Sequence, residues 1–278
     1  MESFDIIKPS SILEPYIKYY WILDYESEII EPIRVIPYGC VQFTFYLGNR
    51  IKSLSHEKAS SFYKDEAVIS GQSSSFIDVI PQGKIRLISI VFKPFGAKPF
   101  FDFPISEIKN GIIPVKDINN NNEWLDIESR LGNCVDNKEI VSCLESALIR
   151  KLEKNKQFTS YSNINYKRIT HAINEIDKTK GNITIKELSL ATCLGEKQFN
   201  RVFVENIGSN PKEFLRIIRY QNVLFKLQNT KHINIQDIIY ECGYYDQSHF
   251  INNFKQFTGY TPKEYIKLFT PCSEYFSM

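Results

Sequence analysis

Apolar residues fall in two rhythms along this chain. Up to about residue 118 they come as short runs rich in aromatic and β-branched side chains. The runs are Tyr16 to Asp24, Cys40 to Leu47, Ala67 to Gly71, Phe76 to Ile80 and Lys84 to Phe92, with a turn at Gln82-Gly83. Such runs, bounded by Pro and Gly, predict an antiparallel β sandwich or small barrel. The segment KPFGAKPFFDFP is a Pro-rich aromatic connection out of the last strand, and Asn119 to Asn122 is a polar break. Beyond it the period changes. Two helical stretches are predicted at Glu123 to Leu131 and Lys138 to Lys154. In the second, Ile140, Leu144, Ala147, Leu148 and Leu152 form one stripe at helical spacing. The stripe has two candidate uses: pairing with a second chain, or packing on the chain's own β domain. Gln157 to Asn165 is polar and reads as a linker. A lead-in helix, Tyr166 to Lys178, is ended by Gly181.

After this helix the pattern repeats. The segment Ile183 to Leu215 recurs as Ile233 to Ile266. Ile183, Ile185 and Leu188 match Ile233, Ile235 and Ile238 at an offset of fifty. Phe199, Phe203, Gly208, Pro211 and Phe214 match Phe250, Phe254, Gly259, Pro262 and Tyr265 at fifty-one, one residue having been added at a turn. Each copy reads as helix, short turn, helix and a Gly-x-x-Pro stop, which is a helix-turn-helix unit. A long helix, Pro211 to Gln228, joins them. Its length of about 27 Å at 1.5 Å per residue, with the bodies of the units added, allows recognition helices about one DNA turn, ~34 Å, apart.

The faces of the paired helices carry the candidate chemistry. In the first unit Thr184 caps the helix Ile185 to Thr192, with Glu187 placed for a capping box. The turn is Cys193, Leu194 and Gly195, and the second helix runs from Glu196 to Asn206. Phe199, Val202, Phe203 and Ile207 share its core face. Lys197, Gln198, Asn200 and Arg201 are its candidate DNA-binding residues, since Arg or Lys suits guanine and Asn suits adenine. In the second unit Asn234 is the expected cap of the helix Ile235 to Glu241. Gly243 permits the turn and Asp246 caps the second helix. Phe250, Phe254 and Phe257 point inward. Gln247, Ser248, His249 and Asn252 are left to face DNA, and Ile251 with them as a contact for a thymine methyl. Protonation of His249 would add positive charge there.

These residues carry a family resemblance. Residues 165–270, and GYYDQSHFINNFKQFTGYTPKEYIK above all, resemble the DNA-binding domain of AraC/XylS-type transcription regulators. The resemblance implies a seven-helix domain with Lys197, Asn200, Arg201, Gln247, Ser248 and Asn252 at DNA-contacting positions. It also implies contact with RNA polymerase; an activator is the expectation, and the sequence leaves repression open. Three residues depart from the family's pattern: Asn252 replaces a common Arg, Ile239 a small residue, and Cys193 a turn glycine. The order WILDY, IRVIPYGCVQFTF, VISGQ, IRLISIVFKPFGAKPFF resembles, more loosely, the sensor half of one subgroup, for which no ligand carries over.

Charge agrees with this division. The chain has a net charge of +2, and residues from Ser160 onward carry +4 of it against −2 for the rest, a basic bias suited to phosphate. The six cysteines form no C-x-x-C pair, so neither zinc nor a disulfide framework is indicated. No apolar run approaches the ~20 residues of a membrane helix, and MESFDIIKPSS lacks a signal peptide's features. A cytoplasmic protein is expected, with no cofactor. The N-terminal half has His56 as its one histidine and no nucleophile, phosphate or dinucleotide motif, so no enzyme is expected. That half is dense in aromatics. Arg34, Gln42, Gln72 and Arg86 lie among its apolar strands, placed either to hold a ligand's polar group or to pair with a core carboxylate.

The expected architecture is multidomain α and β. Residues 1–118 form an antiparallel β-rich regulatory domain, 119–157 a helical segment and candidate dimerisation element, 158–164 a linker, and 165–270 an all-α domain of two helix-turn-helix units. The expected function is sequence-specific binding of double-stranded DNA in transcription regulation, controlled by a small-molecule effector or a partner at the β domain. The alternative is a ligand-independent regulator whose β domain serves only interaction or homodimerisation.

Overall fold

The computed structural model describes residues 3–27, 32–48, 51–54, 61–62, 67–81, 83–118, 122–155, 164–229, 235–244 and 246–268. Gln82 of the predicted turn, His56, Asn119 to Asn121, all of the 158–164 linker except Ile164, Asn234 and Cys272 lie outside the described residues.

Among the described residues, ten strands form two antiparallel sheets. One has six strands in the order β1 (Ser3–Ile7), β2 (Ile17–Ser27), β9 (Gly83–Phe92), β4 (Gln42–Tyr46), β7 (Val68–Ser70), β10 (Ile112–Pro114). The other has the order β3 (Ile33–Val35), β8 (Ile77–Pro81), β5 (Ile51–Leu54), β6 (Ser61–Phe62). The sequence runs correspond to β2, β4, β7, β8 and β9. It did not predict β1, β3, β5, β6 and β10, which are five residues or shorter.

Alternation along the central strands separates two faces. Register pairs Trp21 with Ser89 and Ser89 with Thr44, and one residue further Ile22 with Ile88 and Ile88 with Phe45. The face bearing Ile22, Phe43, Phe45, Ile88 and Ile90 is the main core. Helices α1 (Asn122–Leu131) and α2 (Asn137–Lys154) cover it. Trp124 of α1 meets the Phe43 ring edge-on, 4.9 Å between centroids. The stripe on α2 is fully used here: Leu144 and Leu148 are each 0% exposed in this core. It is therefore not free to serve as a dimer seam, because its apolar surface already has a partner in the same chain. The opposite face of the sheet gathers Trp21, Leu87 and Val91 with Tyr19, Tyr38, Cys40 and Tyr46. Burial raises the thiol of Cys40 and the phenols of Tyr19 and Tyr38 above their usual range.

Among the described residues seven helices follow: α3 (Ile164–Lys178), α4 (Ile185–Ala191), α5 (Glu196–Ile207), α6 (Pro211–Asn229), α7 (Ile235–Glu241), α8 (Gln247–Thr258) and α9 (Pro262–Leu268). They build two cores. Ile173, Leu188, Phe199, Val202, Phe203 and Phe214 centre the first, and Tyr220, Val223, Ile238, Phe250, Phe254 and Phe257 the second. The long helix α6 belongs to both, giving Phe214 and Leu215 to the first and Ile217, Tyr220 and Val223 to the second. The β domain reaches into each as well, with Phe95 in the first and Ile36 in the second.

Candidate nucleic-acid interface

The first helix-turn-helix unit is α4, the turn and α5. Thr184 and Glu187 form a reciprocal capping box at the start of α4. In the turn Cys193 adopts a left-handed backbone, φ 53°, a conformation that favours glycine. A residue with a Cβ thus occupies a glycine conformation at some cost in strain. Helix α5 follows the N-cap residue Gly195 and buries Phe199, Val202, Phe203 and Ile207. The i, i+4 spacing of its two phenylalanines puts both rings in the core, 5.6 Å apart. Turned the other way, Lys197, Gln198, Asn200 and Arg201 are all exposed. Neither Lys197 nor Arg201 has an ion-pair partner among the described residues.

The second unit repeats this build with α7 and α8. Gly243 takes the left-handed turn, φ 73°. Asp246 caps α8, its carboxylate accepting from the His249 backbone N–H at 2.6 Å. Phe250, Phe254 and Phe257 are buried, while Gln247, Ser248, His249 and Asn252 are exposed. Ile251, expected beside them, is half-buried against the second core, because the helix turns its Cβ toward that side. Asn253, unremarked in the sequence, is 4% exposed and accepts a hydrogen bond from Arg216 of α6. A signal existed: Asn253 falls at the i+3 position of the inward set Phe250, Phe254, Phe257.

The two units are braced against each other. A methyl on Gly243 would overlap the Asn182 side chain, so the second unit's turn sits on the chain just before the first unit. The Arg219 guanidinium lies over the Tyr244 ring, 5.9 Å from its centroid. Burial pushes the Tyr244 phenol up to about 12. Arg216 also donates to Gln256 Oε1 at 2.6 Å, so this cation of α6 is committed to α8. The 19-residue α6 spans about 28 Å at 1.5 Å per residue.

Among the polar residues singled out in the β domain, Arg34 forms a bidentate pair with Asp78, at 2.7 and 2.8 Å. Arg86 lies 3.5 Å from Asp24. Gln72 is buried and hydrogen-bonded to Ser209 and to Gly39. Gln42 is half-buried at the start of β4. Among the described residues no three His, Cys, Asp or Glu side chains gather as metal ligands. No described helix is long and apolar enough to cross a membrane.

Residues 188–267 match the model of a helix-turn-helix domain. The C-terminal domain is a helix-turn-helix domain of the AraC type. Residues 5–114 match a domain of unknown function, DUF6597. A relative from Haemophilus influenzae, described as an uncharacterized HTH-type transcriptional regulator, is 30% identical over 83 residues, 30% of this chain and 28% of that protein. The chain thus matches under a third of that curated relative's length. Among solved structures, ToxT from Vibrio cholerae has the same fold over 90% of this chain and 99% of its own, with a TM-score of 0.51 and 13% identity. A second ToxT structure, from Vibrio cholerae O395 bound to (E)-4-(8-methylnaphthalen-1-yl)but-3-enoic acid, also reaches 0.51, at 13% identity, over 90% of this chain and 99% of its own. The likeness covers both the β domain and the helical domain.

Proposed function

We propose that this chain is a sequence-specific DNA-binding transcription regulator. One observation carries the reading: two copies of one helix-turn-helix unit, built on a shared helix, each leave the polar face of the second helix in solvent. In this reading Lys197, Gln198, Asn200 and Arg201 enter one major groove and Gln247, Ser248, His249 and Asn252 the next, about one turn away. The division of labour follows the chain: 1–118 regulates, 119–157 supports it, 158–164 links, and 165–270 binds DNA. Activation in the cytoplasm through contact with RNA polymerase fits the AraC-type domain. A homodimer would have to use a surface other than the buried α2 stripe. The test is mapping of bound DNA across the genome, followed by footprinting of one site. Enrichment of one sequence motif with two protected major-groove segments supports the reading, and binding without sequence preference sinks it.

Effector control is the second part of the proposal. The Trp21, Tyr19, Tyr38 and Tyr46 face of the sheet offers aromatic surface beside the small hydroxyls of Ser89 and Thr44, suited to a flat, largely apolar small molecule. The ToxT structure bound to an aromatic carboxylic acid makes that class the first to try. A ligand-independent regulator is the competing reading, favoured because Trp21, Leu87 and Val91 on this face are already buried by protein. Native mass spectrometry of the full chain separates the two by the presence or absence of a bound small molecule.

A further inference from the structure

The β domain grips both helix-turn-helix units at the same place in the repeat. Gly208 ends α5 and Gly259 ends α8, each with a left-handed backbone, φ 92° and 76°. Both corners press on the β domain. A Cβ on Gly208 would lie 2.9 Å from Ile105 Cγ2 and 3.0 Å from the Ile105 carbonyl oxygen. A Cβ on Gly259 would overlap the Arg34 guanidinium and lie 2.8 Å from the Phe76 ring.

Polar groups beside each glycine are paired across the same boundary. Ser209 Oγ donates to Gln72 Oε1 at 2.6 Å, and Gln72 Nε2 donates to the Gly39 carbonyl at 3.1 Å. Ser209 and Gln72 are each 2% exposed. At the second corner Arg34 Nη1 donates to the Thr258 carbonyl at 3.0 Å. The same guanidinium lies between two rings, 3.9 Å from Phe76 of the β domain and 4.5 Å from Tyr260 of the second unit. Asp78 holds its other edge. A third tie joins Lys109 to Glu213 at 2.5 Å, at the start of the helix shared by the two units.

These contacts engage the C-terminal ends of the recognition helices. The exposed residues Lys197, Asn200, Gln247 and Ser248 lie toward the other ends and stay uncovered. The β domain therefore braces the pair without covering its polar faces. We propose that Arg34 and Gln72 are positioning residues that fix the separation and tilt of the two recognition helices. The β domain thereby sets the spacing between the two DNA segments the protein accepts. This rests on the reading of both units as DNA-binding. A rigid body touching both units adds a constraint to the joining helix and the Asn182–Gly243 contact, and preorganised geometry discriminates where a loose one adapts.

The test uses the full chain in two arms. Spin labels carried on non-natural side chains at Asn200 and Asn252 report the distance between recognition helices without DNA. One narrow distribution is expected for the parent, and a clearly broader one with Arg34→Ala plus Gln72→Ala. Ser209→Ala, a milder change that removes one tie, should broaden it less. In the second arm unlabelled proteins bind sites whose two segments are moved apart one base pair at a time. The parent should reject wrong spacings by about tenfold or more, and the double variant by only a fewfold, if lost preorganisation is the cause. Equal distance widths in parent and variants overturn the proposal, as does unchanged spacing discrimination. Tighter binding by the variant at every spacing would make the β domain a blocker and also overturn it. Failure of the parent to bind any DNA specifically would sink the DNA-binding reading and, with it, the spacing role. The distance arm would then report on the brace alone.

Discussion

Arg216 of the joining helix donates a hydrogen bond to the side chain of Asn253, a buried residue of the second recognition helix. The pair ties the orientation of α8 to α6, and the same guanidinium lies 5.5 Å from the Phe257 ring. Asn253→Ala removes one of the two acceptors of a half-buried charged donor, leaving Gln256. Such a loss costs about 1–3 kcal/mol. Urea denaturation of the full chain should show it as a lower midpoint in the transition of the helical domain. An unchanged midpoint would mean that Gln256 alone suffices for Arg216.

The apolar stripe on α2 gives a second prediction. Leu144 and Leu148 are wholly buried under the six-stranded sheet. Leu144→Ala should cost about 2–5 kcal/mol, the usual range for a core leucine. Leu144→Asp should yield insoluble or unfolded protein. A soluble, folded monomer from Leu144→Asp would instead return the stripe to a dimer interface, and size-exclusion chromatography with circular dichroism decides.

What the sequence made legible follows from the range of the interactions. The repeat was readable because Phe199 with Phe203 and Phe250 with Phe254 mark a helical period within a few residues. Caps at Thr184 and Asp246 were readable for the same reason. The α2 stripe showed that a helix buries one face but not what covers it. The joints between domains left no local trace: Gln72 and Ser209 are 137 positions apart, and Arg34 and Thr258 are 224 apart. Arg34 stood out only as a cation among strands, with a carboxylate partner as one of two uses open to it and its grip on Thr258 as neither. Strands as short as Ile33–Val35 owe their form to their neighbours rather than to their own three residues.

Acid should loosen the helical domain through its capping boxes. Hydrogen bonds from the backbone N–H and then the hydroxyl of Thr184 hold the Glu187 carboxyl below its usual range, and Thr261 does the same for Glu264. A carboxyl depressed in the folded state binds its proton more readily when unfolded. Its stabilisation is present above the unfolded value and is lost as pH falls through the folded one. The melting temperature of the parent should therefore fall between about pH 5 and pH 3. The Glu187→Gln plus Glu264→Gln variant should start lower and fall less over the same range. Parallel curves would show that these carboxylates do not contribute to the acid response.

The two units should be used unequally. The first recognition helix presents two exposed cations, Lys197 and Arg201, with no ion-pair partner among the described residues and Asn200 beside them. The second presents Gln247, Ser248, His249 and Asn252, with no fixed cation before Lys255. Arg216 cannot make up the deficit, since it is bonded to Asn253 and Gln256. Neutral groups can bond base edges, but they attract phosphate weakly. The first unit should therefore dominate specificity while the second positions the domain. Arg201→Ala should cost about 1–3 kcal/mol of affinity and relax preference at one or two base pairs. Lys197→Ala should weaken all sequences about equally if its contact is to phosphate. Alanine at both positions with specific binding unchanged would remove α5 from the interface. A footprint with a base-pair substitution series across one site tests the asymmetry. Two protected major-groove segments about one turn apart are expected, with the steeper losses in the segment read by α5. Equal losses in both would overturn the asymmetry, and a single protected segment would overturn docking by both units.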